Sequence, residues 1–168
     1  ASGRLFVADS AAHQVVVLDA AGREARRIGR RGWRPGEFNY PTNLVFDHRG
    51  RLYVSDTLNF RVQMFSAELE PVRQIGSKGD LPGYFSQPKG VAVDADDHLY
   101  VVDANFEAVQ LFDREGHLLM AFGREGHGAG EFWLPAGMSI DTQNRVWIAD
   151  SQNRRVQVFD YLAEAPHP

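Results

Sequence analysis

Apolar residues occur in short runs of five or six, separated by turn-forming residues, and the runs return every 47 residues with no insertion or deletion. Segments 4–9, 51–56, 98–103 and 145–150 read RLFVAD, RLYVSD, HLYVVD and RVWIAD. In the second unit four such runs, 43–47, 51–56, 61–66 and 71–76, are rich in Val, Phe, Tyr and Leu and predict strands, here a, b, c and d. Strand c alternates: Val15 and Val17, Val62 and Met64, Val109 and Leu111, Val156 and Val158 fall on one face, and Leu18, Phe65, Phe112 and Phe159 end the other. Apolar residues on both faces predict sheets packed between two others.

The punctuation between the runs repeats as strictly. Asp47, Asp94 and Asp141 open turns between a and b whose Asp, Asn and Gly content marks hairpins. Between d and the next a stand Gly29, Gly76 and Gly123, then Gly36, Gly83 and Gly130, then Phe38, Phe85 and Phe132, then Pro41, Pro88 and Pro135. This connection predicts a packed corner whose phenylalanine plugs the gap between units. Four antiparallel strands per unit of 40 to 50 residues define a β-propeller blade. The expected fold is all-β, with 14 strands in about three and a half blades spanning 1–161: a partial unit 1–29, full units 30–76 and 77–123, a partial unit 124–161, and a Pro-rich C-terminal tail 162–168.

The pattern Pro-x-Gly-Val-Ala-Val-Asp from Pro88 to Asp94, Leu-Tyr-Val-x-Asp from Leu99 to Asp103, Asn-Arg-Arg-Val-Gln-Val-Phe-Asp from Asn153 to Asp160 and Phe122-Gly123 resembles the NHL repeat. The resemblance runs from Gly3 to about Tyr161. It implies a propeller usually closed by six blades, which at this period would need roughly 280 residues. The ring is therefore expected to be incomplete in this chain, with further blades or self-association covering the open strand edges. The resemblance also implies two functional classes. Some NHL propellers bind single-stranded RNA on the face made by the d-to-a and b-to-c loops, and the peptidyl-amidating lyase uses such a scaffold with a metal in its channel.

Composition narrows these. A net charge of -4 argues against nucleic-acid binding by bulk charge. No cysteine is present, so disulfides and thiolate metal sites are excluded and the redox compartment stays open. No apolar run reaches membrane-spanning length. The six histidines fall at different phases of the repeat, and the strand a segments contain none, so the residues present call for no channel metal and no cofactor. Asp94, Asp96 and Asp97 lack the spacing of a calcium loop and read as a solvated turn.

A residue recurring in phase builds the scaffold, and one that breaks phase is the better site candidate. Asp9, Asp56, Asp103 and Asp150 recur, and Arg61 and Arg155 stand five residues after two of them, at a distance a hairpin closes into charge-assisted hydrogen bonds. Gln14 and Ala108 take the arginine's place in the other two units. Out of phase stand Phe60 and Phe106 in b-to-c connections and Trp33, which are the candidates for contact with a partner. Arg26, Arg27, Arg30, Arg31 and Arg34, within a stretch that begins at Arg23, are the candidates for RNA, or for a charge-protected edge strand. The expected function is a noncatalytic platform for a protein or peptide, with an RNA reader and a fragment of an amidating-lyase-type enzyme as alternatives.

Overall fold

A computed structural model of the chain describes residues 3–160. The tail expected at 162–168 lies outside the described residues. Among the described residues fourteen strands follow the 47-residue register. They are β1 Leu5–Asp9, β2 Gln14–Leu18, β3 Glu24–Ile28, β4 Pro41–Phe46, β5 Leu52–Asp56, β6 Arg61–Phe65, β7 Pro71–Ile75, β8 Pro88–Val93, β9 Leu99–Asp103, β10 Ala108–Phe112, β11 Leu118–Phe122, β12 Pro135–Ile140, β13 Val146–Asp150 and β14 Arg155–Phe159. A 3₁₀ turn, Thr57–Asn59, interrupts the second b-to-c connection.

The strands form four antiparallel sheets: β1-β2-β3, β4-β5-β6-β7, β8-β9-β10-β11 and β12-β13-β14. These are the blades, two of four strands and two of three among the described residues. Even the irregularities repeat. Each innermost strand begins with proline and shifts register just after it, between Pro41 and Leu44, Pro88 and Val91, and Pro135 and Met138. Proline has no N–H to donate, so the first position of a strand is where a sheet tolerates it. In the a-to-b turns Asp47, Asp94 and Asp141 each accept two backbone N–H bonds, from Arg49 and Arg51, Asp96 and His98, Gln143 and Arg145. These are Asx turns.

Three apolar clusters lie between successive blades. Val15, Val17 and Ile28 of the first blade meet Leu52, Val54 and Phe65 of the second. Val62, Met64 and Ile75 meet Leu99, Val101 and Phe112, and Val109 and Leu111 meet Val146 and Ile148. Each cluster includes the corner phenylalanine, Phe38, Phe85 or Phe132, and all three are fully buried. The plug role expected from the d-to-a connection is what these rings perform.

The outermost faces of the arc show the same residues without a neighbouring blade. Leu5 and Val7 are 57% and 39% exposed, whereas their counterparts Leu52 and Val54 are at 0%. At the other end Val156 and Val158 are 60% and 45% exposed, against 0% and 3% for Val62 and Met64. Blade stacking, not strand pairing, is what dries these positions.

Candidate functional site

Antiparallel connectivity puts all b-to-c and d-to-a connections at one end of the blades and all a-to-b and c-to-d turns at the other. The first end is one continuous surface, here the loop face. Backbone bonds tie its two kinds of loop together: Leu58 N–H to Asn39 O at 3.0 Å, Ala104 N–H to Gln87 O at 3.0 Å and Gln152 N–H to Trp133 O at 3.1 Å.

Apolar exposure separates the connections of the two ends. Trp33, Tyr40, Leu58, Leu81, Tyr84, Trp133 and Leu134 are exposed, and all lie in the d-to-a and b-to-c loops. No exposed large apolar residue occurs in the turns of the opposite end among the described residues. That end is held by ion pairs instead. Asp97 meets His48 Nδ1 at 3.2 Å, Arg49 Nε at 3.3 Å and Arg114 Nε at 3.7 Å, while Asp94 meets His98 Nδ1 at 3.0 Å. These acids are turned toward cationic or imidazole side chains. Among the described residues no three His, Asp or Glu side chains are grouped to hold a metal ion.

The sequence candidates are only partly brought together. Phe60 and Phe106 share a shallow cavity of about 280 Å3 between the second and third blades, with Lys78, Asp80 and Ser86 on its walls. Lys78 Nζ lies 5.0 Å from the Phe60 ring centroid, a cation–π distance. Both phenylalanines are half-buried, and Phe60 packs against the core cluster. Trp33 stands apart on the previous loop, 77% exposed.

The arginine stretch runs from an outer strand into the following loop. Arg26 and Arg27 lie on β3, the outer strand of the first blade, and pair with Glu70 at 3.4 Å and Glu24 at 2.7 Å. Arg30 enters the loop and is paired with Glu37 at 2.8 Å. Arg31 and Arg34 complete the loop portion, and neither forms an ion pair among the described residues. Arg26, Arg27, Arg30 and Arg34 nevertheless line one open cavity of about 470 Å3, where Glu37 and Glu70 share the lining and pair with Arg30 and Arg26, offsetting the positive charge a phosphate-tracking groove needs.

Sequence reasoning passed over Tyr40, Leu58, Leu81, Tyr84, Trp133 and Leu134. The signal was available. Tyr84 stands in phase with Glu37 and Glu131, Leu81 with Arg34 and Gly128, and Trp133 with Asn39 and Ser86. Each is an apolar residue where a sister unit carries a polar one or glycine.

Beneath the loop face lie the recurring aspartates. Asp56 is fully buried and accepts from Asn39 N–H at 2.6 Å, Asn59 Nδ2 at 2.9 Å, Arg61 Nε at 2.7 Å and Gln63 Nε2 at 3.1 Å. Asp150 repeats the set with Trp133 N–H, Asn153, Arg155 and Gln157. Asp9 has Ala12 N–H at 3.0 Å and Gln14 at 3.5 Å. Asp103 takes only backbone donors, the N–H groups of Ser86, Gln87, Asn105 and Phe106 at 2.7–3.2 Å.

These environments push two equivalent carboxyls apart. Burial pushes Asp103 above the ordinary carboxylate value, and its four N–H donors only partly counter it. Burial acts the same way on Asp150, but Trp133 N–H, Asn153, Arg155 and Gln157 outweigh it and hold that group below. Carboxyl carbon shifts followed by NMR across an acid titration should therefore place Asp103 above 3.8 and Asp150 below it. The signs for stability are opposite. Asp150 contributes stability above 3.8 that is lost as pH falls through its depressed value. The Asp103 contribution is present below 3.8 and lost as pH rises through its raised value. Coincident titration of the two would contradict the assignment.

Comparison with known proteins agrees with this architecture. A family described as a 6-bladed beta-propeller matches residues 93–164. Among curated proteins no sequence matches. Solved structures similar in fold include virginiamycin B lyase from Staphylococcus aureus, at 12% identity and a TM-score of 0.65, over 96% of this chain and 53% of that one. A gluconolactonase from Xanthomonas campestris is similar at 19% identity and a TM-score of 0.70, over 94% and 55%. A protein of unknown function from Bacteroides thetaiotaomicron is similar at 18% and 0.70, over 93% and 44%. The chain spans about half the length of these structures. The chain is a β-propeller in fold, and at these identities the likeness extends to the fold alone.

Proposed function

We propose that this is a propeller of the NHL kind whose loop face is a noncatalytic docking surface for a protein or peptide. The observation that carries the reading is that, outside the strands and among the described residues, the exposed aromatic and leucine side chains lie in the loops of one end of the blades. Contiguous apolar exposure ringed by polar groups is how interaction surfaces differ from ordinary protein surface. Tyrosine and tryptophan are also the side chains from which binding hot spots are built. The loops that carry them are braced from below by the buried aspartates and their partners, so the surface is presented in a fixed shape.

The test is selection of a random peptide library on the purified chain. Selected peptides should protect amides of the loop face, and Trp33→Ala, Tyr84→Ala and Trp133→Ala should each weaken binding by about tenfold or more while leaving the melting temperature within about 1 °C. Peptides mapping to the opposite end would overturn the reading. So would single-stranded RNA binding with a steep salt dependence that Arg31→Ala and Arg34→Ala abolish.

A further inference from the structure

The joint between the second and third blades departs from its two neighbours where it meets the loop face. In the second and fourth blades an asparagine ties the b-to-c loop to the preceding d-to-a loop. Asn59 Nδ2 donates to Gly32 O at 2.7 Å and to Asp56 at 2.9 Å, and Asn153 Nδ2 donates to Gly126 O at 2.8 Å and to Asp150 at 2.9 Å. The 47-residue register puts Phe106 at this position in the third blade and Gly79 at the acceptor position. Among the described residues nothing donates to Gly79 O. Across the same joint Phe60 stands where the first and third blades carry His13 and Glu107. His13 Nδ1 accepts from Tyr40 N–H at 3.0 Å, a bond that a phenyl ring does not make. All three residues hold φ between +53° and +57°, so the backbone is that of the repeat and the side chain alone differs.

With both polar ties replaced, the middle joint carries the cavity of about 280 Å3 that Phe60 and Phe106 line with Lys78, Gly79, Asp80 and the buried plug Phe85. Sites that enclose whole small molecules run to about 300–1,000 Å3, so this one suits a single side chain. Among the described residues neither Phe60 nor Phe106 pairs with another aromatic ring. Phe85 beside them already does, with Phe112 at 5.7 Å. A ring entering the cavity therefore meets two aromatic surfaces whose ring contacts the chain itself does not supply.

Lys78 sets the polarity of the rim. It is exposed, its Nζ lies 5.0 Å from the Phe60 ring centroid, and among the described residues it forms no ion pair. Asp80 is exposed and equally without an ion pair among them. One cation beside one anion suits a single carboxylate placed at Lys78. It does not suit a phosphate chain, which needs several cations and would be repelled by Asp80 and by the net charge of -4.

We propose that this cavity takes an aromatic side chain of a peptide or protein partner, with an adjacent aspartate or glutamate of the partner held by Lys78. The inference rests on the docking role of the loop face and names what that face recognises.

The experiment titrates acetylated, amidated tetrapeptides containing Asp-Phe or Phe-Asp into the full chain and follows amide NMR. Saturating shifts are expected at Gly79, Ser86 and Phe106, and not at Gly32, Asn39, Gly126 or Trp133, their counterparts in the other joints. Leucine in place of the phenylalanine should weaken binding about threefold or more. Asparagine in place of the aspartate should weaken it roughly two- to fivefold. Lys78→Gln should abolish that second difference and keep the first, and Asp80→Asn should tighten binding of the aspartate peptide. Phe106→Asn installs the residue of the flanking blades and should weaken binding at least about tenfold, with the melting temperature kept within about 2 °C. Phe60→His, the first-blade residue, should also weaken it, so one misfolded variant does not decide the outcome. No saturation, equal affinity for the phenylalanine and leucine peptides or for the aspartate and asparagine peptides, or tighter binding of uridine or adenosine monophosphate would overturn the inference. So would free-acid Gly-Phe binding more tightly than the tetrapeptides, which would put a chain-terminal carboxylate at Lys78 instead. The two readings fail separately. Library peptides that map to the loop face but ignore Phe106→Asn would overturn this site and leave the docking role standing, while peptides that map to the opposite end would overturn the docking role itself.

Discussion

Replacing Gly76 by alanine should destabilise the chain by about 2–5 kcal/mol and lower its melting temperature by roughly 10 °C. Two costs add at this position. Gly76 has φ +77°, a left-handed backbone that a Cβ penalises by about 1–2 kcal/mol. The added Cβ would also lie well inside van der Waals contact with the Phe85 ring. That ring is fully buried in the cluster joining the second and third blades and cannot retreat without opening it. Gly22 is the internal control. It has φ +76°, and nothing lies within 4 Å of a Cβ built there. Gly22→Ala should show only the backbone cost, so the difference between the two variants measures how tightly the plug is seated. Equal melting temperatures would mean that Phe85 does not seal the joint.

The plug also shows why so much of the fold was legible in the sequence. Gly29, Gly76 and Gly123 recur because each must pass under a phenylalanine nine residues later, and Phe38, Phe85 and Phe132 recur with them. A repeat prints its packing constraints as phase, so strand order, turns and plugs could be located from spacing. Expected strand bounds differ from the observed ones by one or two residues, mostly at innermost strands. There the chain begins to pair at Pro41 and then shifts register, which apolar periodicity does not record.

The loop face was legible only in part. Phe60, Phe106 and Trp33 stood out as aromatics in loops, and the fold brings the two phenylalanines into one cavity while leaving Trp33 on another loop. The arginine stretch looked like one feature because its members are close in sequence. A strand end intervenes at Ile28, which sends Arg26 and Arg27 to a sheet edge and Arg30, Arg31 and Arg34 to the loop. Four of them still meet, because the outer strand and the loop border one cavity that Arg26, Arg27, Arg30 and Arg34 line together, and what the sequence did not show is that Glu37 and Glu70 line it too. The partners of Asp103 were hidden for a different reason. They are backbone N–H groups, which any residue supplies, so no side-chain pattern announces them.

Asp56→Ala should be the other severe substitution, costing about 3–5 kcal/mol. The loss exceeds that of one hydrogen bond because four donors converge on this carboxylate and Arg61 is itself buried at 4% exposure. Without Asp56 a guanidinium is left in the interior with only carbonyl oxygens around it, and an uncompensated buried charge is the expensive element. Asp9→Ala removes the same residue of the repeat where it is part exposed and faces only Ala12 N–H and a long contact to Gln14. Its cost should stay near 1 kcal/mol. The pair Asp56→Ala/Arg61→Met then decides the cause. If the stranded cation dominates, removing it should recover about 1 kcal/mol or more of the single-variant loss, measured by urea denaturation. If the loss comes from the released loop instead, the double variant should be less stable than Asp56→Ala. Arg61→Met would then also free the carbonyls of Trp33, Arg34 and Glu37, and amide exchange in that loop should speed up beyond the Asp56→Ala level.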